Sequence, residues 1–188
     1  MKYYIADTHF QHKNILRFDN RPWYDLSIME DDMIALWNKR VKKDDDVYIL
    51  GDFCWGSAEH WRRLLPKLRG KKHLILGNHD LSKIPADISR MFEGRPTGYL
   101  EIKDGEYNVI LSHYPLISYK HDVDPKSIML HGHVHNTVEA KALKEAIELY
   151  KKSCLENGYA YKGRLYNVWC GFYGWAPTTL AEILLRNK

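Results

Sequence analysis

Cysteine is scarce in this chain: its 188 residues include three, Cys54, Cys154 and Cys170, in no close pairing pattern. That excludes a disulfide framework or a Cys-rich zinc site and suits a reducing cytoplasm. Also lacking is any run of roughly 18 unbroken apolar residues of the kind a membrane helix needs, and the opening MKYYIAD reaches Asp7 before a signal-peptide core could form. A soluble, unexported, cytoplasmic protein with no membrane partner is the expectation. No internal repeat, low-complexity tract or Pro/Gly-rich linker interrupts the chain, so residues 1–188 are expected to form one domain. A large excess of one charge is missing as well. The net charge of +4 comes from scattered Lys and Arg, which would not repel an anionic substrate but draw no basic stripe for an extended nucleic acid.

What the chain does have is a 45% hydrophobic content, enough for a real core, and ten histidines. His9, His79, His113, His133 and His135 each lie beside Asp, Gly, Asn or Ser where an apolar run stops. Strands are expected over Lys2 to Ala6, Asp46 to Leu50, Lys72 to Leu76, Tyr107 to Leu111 and Ser127 to Leu130, each delivering polar residues at its carboxyl end. Helices are expected over Ile28 to Val41 and Ser57 to Leu68, capped by Ser27 and Ser57, then over Glu139 to Glu156, and finally from near Thr179. Tyr159 to Trp169 reads as a hairpin turning at Lys162-Gly163. The arrangement is α/β, and open α/β folds place their active sites at the carboxyl ends of sheet strands.

Asp7 and His9 are two residues apart, so at an extended strand end both side chains can project to one side and chelate one ion, and His133 and His135 repeat that spacing. Asp52 offers a carboxylate able to bridge two ions, and Asn78 a neutral oxygen that does not compete for protons. With His113 these make seven candidate ligands. Two divalent ions about 3.5 to 4 Å apart can polarise a phosphoryl group and bring the pKa of a shared water near 7. Phosphate-ester hydrolysis is the reaction that most needs such a pair.

In this order the motifs D-x-H (Asp7/His9), G-D (Gly51/Asp52), G-N-H-D (Gly77 to Asp80), a lone His (His113) and G-H-x-H (Gly132 to His135) resemble the full signature of calcineurin-like metallophosphoesterases. Asn167-Val168 and Trp175-Ala176-Pro177 also look like that family's closing strand and following segment. The resemblance implies an α+β fold, a β-sandwich flanked by helices. It implies one ion on Asp7, His9, Asp52 and His135, and another on Asp52, Asn78, His113 and His133. It further implies in-line attack by a metal-bridging hydroxide, His79 assisting the leaving oxygen, and Asp80 orienting and charge-stabilising His79. Manganese is the first expectation for the metal, with iron, zinc, nickel or cobalt as alternatives.

Other residues carry expectations of their own. Arg21 is either a clamp for a substrate phosphate or a surface Arg. Trp23, Tyr24, Phe53, Trp55 and Tyr114 lie near the motifs and either stack on a nucleobase or pack. His12 and His131 are expected to support ligands by hydrogen bonds, and the helix inserted between Ala140 and Tyr161 to border the site or only cover the sheet. Three functions remain open: a hydrolase of a small phosphomonoester or phosphodiester, a nuclease or nucleotide phosphodiesterase, and a non-catalytic scaffold of the same fold. Oligomeric state is not legible.

Overall fold

Alternation along three short parallel strands decides the layering of this protein, whose computed structural model describes residues 1–81 and 84–188. Strands β1 (Lys2–Ile5), β2 (Asp46–Leu50) and β3 (Lys71–Ile75) form one sheet in that order. Tyr3, Ile5, Val47 and Ile49 turn to one face and join a core with the helix residues Met33, Trp37 and Trp61. Tyr4, Tyr48 and Leu50 turn to the other and meet Val109, Leu111, Ile128 and Leu130 of a second sheet. That second sheet runs β4 (Tyr99–Asp104), β5 (Tyr107–Ser112), β6 (Ser127–His131) and β7 (Leu165–Asn167), with β4 antiparallel to β5 and the remaining pairs parallel. The two sheets pack face to face with helices outside, the sandwich that the resemblance implies.

The helices are α1 (Ile15–Phe18), α2 (Leu26–Arg40), α3 (Ala58–Leu64), α4 (Ala86–Ser89), α5 (Val138–Glu156) and α6 (Leu180–Arg186). Asp25 rather than the expected Ser27 caps α2, because its carboxylate accepts the Ser27 and Ile28 backbone N–H groups. Ser57 caps α3 as expected. Thr179 and Glu182 form a reciprocal box at the start of α6, whose Leu180 and Ile183 close the core between the sheets. Helix α5 has no fully buried residue. Its Leu143 and Ile147 instead line a groove of about 660 Å³ with Leu165, Tyr166 and Phe172.

Two expectations need correcting. Strand β4 lies outside the expected strands, although Leu100 and Ile102 do pack inward against the shared core. The hairpin at Lys162-Gly163 does not form, and only Leu165–Asn167 is strand. Competing bonds explain this: the Tyr161 hydroxyl donates to Ile117 O at 2.5 Å and the Lys162 N–H to Asp122 O at 2.8 Å, pinning the segment to a loop. Core burial predicts that Ile183→Ala lowers unfolding free energy by about 2–5 kcal/mol in urea titration. The exposed Leu185→Ala should change it by less than about 0.5 kcal/mol. Equal effects would show that α6 is not part of the core.

Candidate metal centre

Where β1, β2, β3, β5 and β6 end, the chain turns sharply, and four of those turns carry their ligands on unfavourable backbone angles or beside glycine. Asp7, His9, Asp52, His133 and His135 have φ of 57°, 49°, 49°, 72° and 43°, the left-handed region that side chains with a Cβ seldom enter. Each such residue costs on the order of 1–3 kcal/mol and persists only where its surroundings over-determine it. Gly51 has φ +80°, and a Cβ there would overlap His113 Nδ1. At Gly132 a Cβ would come 2.6 Å from Asp7 Oδ2. Both glycines let backbone approach the ligands.

The seven expected ligands come together. His9 Nε2 lies 3.3 Å from His135 Nε2 and 3.6 Å from Asp52 Oδ2. His135 Nε2 is 3.6 Å from Asp7 Oδ1. On the other side of Asp52, its Oδ2 is 3.5 Å from His113 Nε2. Asn78 Oδ1 is 2.9 Å from His113 Nε2 and 3.0 Å from His133 Nδ1. Asp52 Oδ2 thus stands between the two histidine sets. Asp7 Oδ1 also lies 3.9 Å from His113 Nδ1, and Asp7, Asp52 and His113 form a second convergent group beside Asp7, His9 and His135.

The remaining hydrogen bonds assign the protons. His113 Nδ1 donates to Leu50 O at 2.9 Å, which leaves a lone pair on Nε2. His135 Nδ1 donates to Asp19 Oδ1 at 2.6 Å, which leaves its Nε2 lone pair facing His9 and Asp7. Acceptors therefore face acceptors across a buried gap, an arrangement that a cation relieves. The donor set, imidazole nitrogen with carboxylate and amide oxygen, fits a divalent first-row metal. Without one, a proton competes for the same place. Burial disfavours charge on His135, but the hydrogen bonds to Asp19 and Asp7 outweigh it and push the imidazole up to about 9. Burial, and then the neighbouring His135, drives His9 far below its ordinary value.

Two residues do work other than that expected, and a third carried no expectation. Arg21 is no phosphate clamp: its side chain is fully buried. It donates to Thr8 O at 2.8 Å, Asp7 O at 2.9 Å and Asp19 Oδ2 at 2.9 Å, so its fork is committed to the first ligand loop. Asp80 does not touch the His79 ring. It accepts the N–H groups of Asp52 at 3.1 Å, Phe53 at 2.8 Å and Gly77 at 2.8 Å, tying two ligand loops together. Burial pushes its carboxyl up to about 6 against those N–H groups. Asp19, missed in the sequence, links His135 to Arg21. Burial opposes its charge, yet those two partners hold the carboxyl below the usual range. Its only sequence signal was an acid two residues before Arg21.

His79 is exposed, lines the same cleft as His9, Asp52 and His135, and has its backbone N–H on Asp52 Oδ1 at 2.8 Å. The cleft measures about 470 Å³. His12 Nδ1 is 3.3 Å from His9 Nδ1, while buried His131 is turned to Gly132 O and pushed by burial down to about 4.

Two outcomes are expected. Asp19→Ala should weaken manganese binding by about 10–100-fold in calorimetric titration of metal-stripped protein, because His135 loses its orienting partner. Unchanged affinity would remove that role. Since His135 is protonated at pH 7 without metal and must lose that proton to bind one, affinity should rise from pH 6 to 9, with proton release measured across buffers of different ionisation enthalpy. A flat profile would contradict the proton assignment.

Comparison with known proteins places this geometry. Residues 3–184 match the family model described as calcineurin-like phosphoesterase. The uncharacterized protein MJ1445 of Methanocaldococcus jannaschii is 35% identical over 135 residues, covering 71% of this chain and 68% of that one. The gene 66 protein of Mycobacterium phage D29 is 28% identical over 165 residues, covering 72% and 79%. The crystal structure of AQ665, a protein of unknown function from Aquifex aeolicus, superposes with a TM-score of 0.69 at 26% identity over 97% of both chains. The chain belongs to the calcineurin-like phosphoesterase family.

Proposed function

We propose that this protein hydrolyses a small phosphate ester with two divalent metal ions, manganese first among them. The observation that carries the reading is the set of buried acceptors facing one another around Asp52 Oδ2. Asp7, His9, Asp52 and His135 would hold one ion, and Asp52, Asn78, His113 and His133 the other. Such a pair supplies, when bound, positive charge for the phosphoryl oxygens and an acidified water as nucleophile.

The chain's own residues supply position and a proton. His79 stands in the cleft with its backbone fastened to Asp52 Oδ1, so its ring is referenced to the bridging carboxylate. It gives a proton to the leaving oxygen. Asp80 acts one step back, holding the Asp52 and Gly77 loops at a fixed separation through three N–H groups. A cleft of about 470 Å³ suits a small ester better than a nucleic-acid strand. Among the described residues no helix is long and apolar enough to cross a membrane, and three free thiols suit the reducing cytoplasm in which we place the reaction.

Metal-stripped protein should hydrolyse p-nitrophenyl phosphate or its bis ester only after manganese is added, and Asp52→Asn should abolish this. His79→Ala should retain both ions yet slow an alkyl ester by about 10²–10⁴-fold. Two ions bound without turnover of either ester would overturn the hydrolase, and full alkyl-ester activity in His79→Ala would remove the proton donor.

A further inference from the structure

We propose that the side of the cleft beside His79 is a stacking subsite for a nucleoside, so that the ester cleaved is a single nucleotide; this rests on the hydrolase reading above. The aromatic residues near the ligand motifs divide by burial. Phe53 and Phe10 are fully buried and pack edge to face, which the fold requires. Phe18 and Trp55 line the metal cleft yet stay 62% and 48% exposed. The part of each ring left in water beside a reaction centre is open to a ligand.

Those rings form one wall. His12 lies stacked on Trp55 with centroids 4.3 Å apart and planes at 13°, and meets Phe18 edge-on at 6.1 Å. Arg17 sits over the Phe18 ring, 5.4 Å from its centroid, which holds that ring in place. Trp55 also touches His79, with centroids 4.5 Å apart. That contact gives the wall its direction. If His79 protonates the leaving oxygen, the alcohol attached to that oxygen emerges on the side where Trp55 stands.

The wall therefore selects the leaving group, and an alcohol that carries a flat aromatic ring gains most there. Asn14 adds a polar edge: its exposed side chain lines the cleft and makes no hydrogen bond to the described residues. An amide offers both a donor and an acceptor, as the edge of a nucleobase does. Stacking tolerates every base, so the class is nucleoside rather than one nucleotide. A cleft of about 470 Å³ holds one such unit.

The test compares adenosine 5′-monophosphate, ribose 5-phosphate and inorganic phosphate as inhibitors of manganese-dependent hydrolysis of p-nitrophenyl phosphate or its bis ester. The nucleotide should inhibit at least about fivefold more tightly than the sugar phosphate. Trp55→Ala and Phe18→Ala should each bring that ratio toward one, with inhibition by inorganic phosphate retained as the sign that the metal centre is intact. Should Trp55→Ala lose phosphate inhibition too, the wild-type ratio and Phe18→Ala decide. Equal inhibition by nucleotide and sugar phosphate in an active enzyme would overturn the subsite and leave the hydrolase standing, as would a ratio that survives both substitutions. Absence of any manganese-dependent turnover would overturn both.

Discussion

Buried lone pairs that face one another set the terms for the rest of this chain. His9 and His113 point ring nitrogens at the carboxylate of Asp52, and His135 points Nε2 at His9 and Asp7, across gaps of 3.3 to 3.6 Å. Without metal, a proton on His135 takes the place of the cation among them. The gathering is held by a frame that commits whole side chains to position: Asp19 with Arg21 behind His135 and Asp7, Leu50 O behind His113, and Asp80 behind Asp52. A buried guanidinium is tolerated here because three oxygens, one of them charged, surround it.

The strained backbone belongs to the same constraint. Side chains two residues apart on a strand share a face, but the ligand pairs must also reach past the strand end into one small volume. Left-handed angles at Asp7, His9, His133 and His135 bend the chain enough to do so. Short parallel strands with rigid alternation make a base that can bear such turns, since each strand is gripped by a core on either side. The sandwich thereby carries the cost of the site.

Much of this was legible in the sequence because it is local. Ligand spacing, glycine placement and apolar runs ending in Asp, Asn or His are read directly, and the structure brings all seven predicted ligands together. The cap of α3 and the start of α6 were readable for the same reason. What escaped depends on contacts distant in the chain or on side-chain reach. No pattern around Arg21 says whether its fork turns outward to a phosphate or inward to Asp7 O, and no pattern around Asp80 says that it bonds Phe53 N–H, 27 residues away, instead of its neighbour His79. The turn signal at Lys162-Gly163 was outweighed by a tyrosine hydroxyl reaching Ile117 O. Strand β4 was a different failure: Leu100 and Ile102 alternate with Glu101 and Lys103, a readable period hidden by charge.

We propose that two ions share Asp52. The most direct measurement is an anomalous difference map from a crystal of the protein loaded with manganese and recorded at the manganese absorption edge. Two peaks about 3.5 to 4 Å apart, both within bonding distance of Asp52, are expected. A single peak, or none, with His113 and His135 bonded to water instead, would contradict the paired-metal centre.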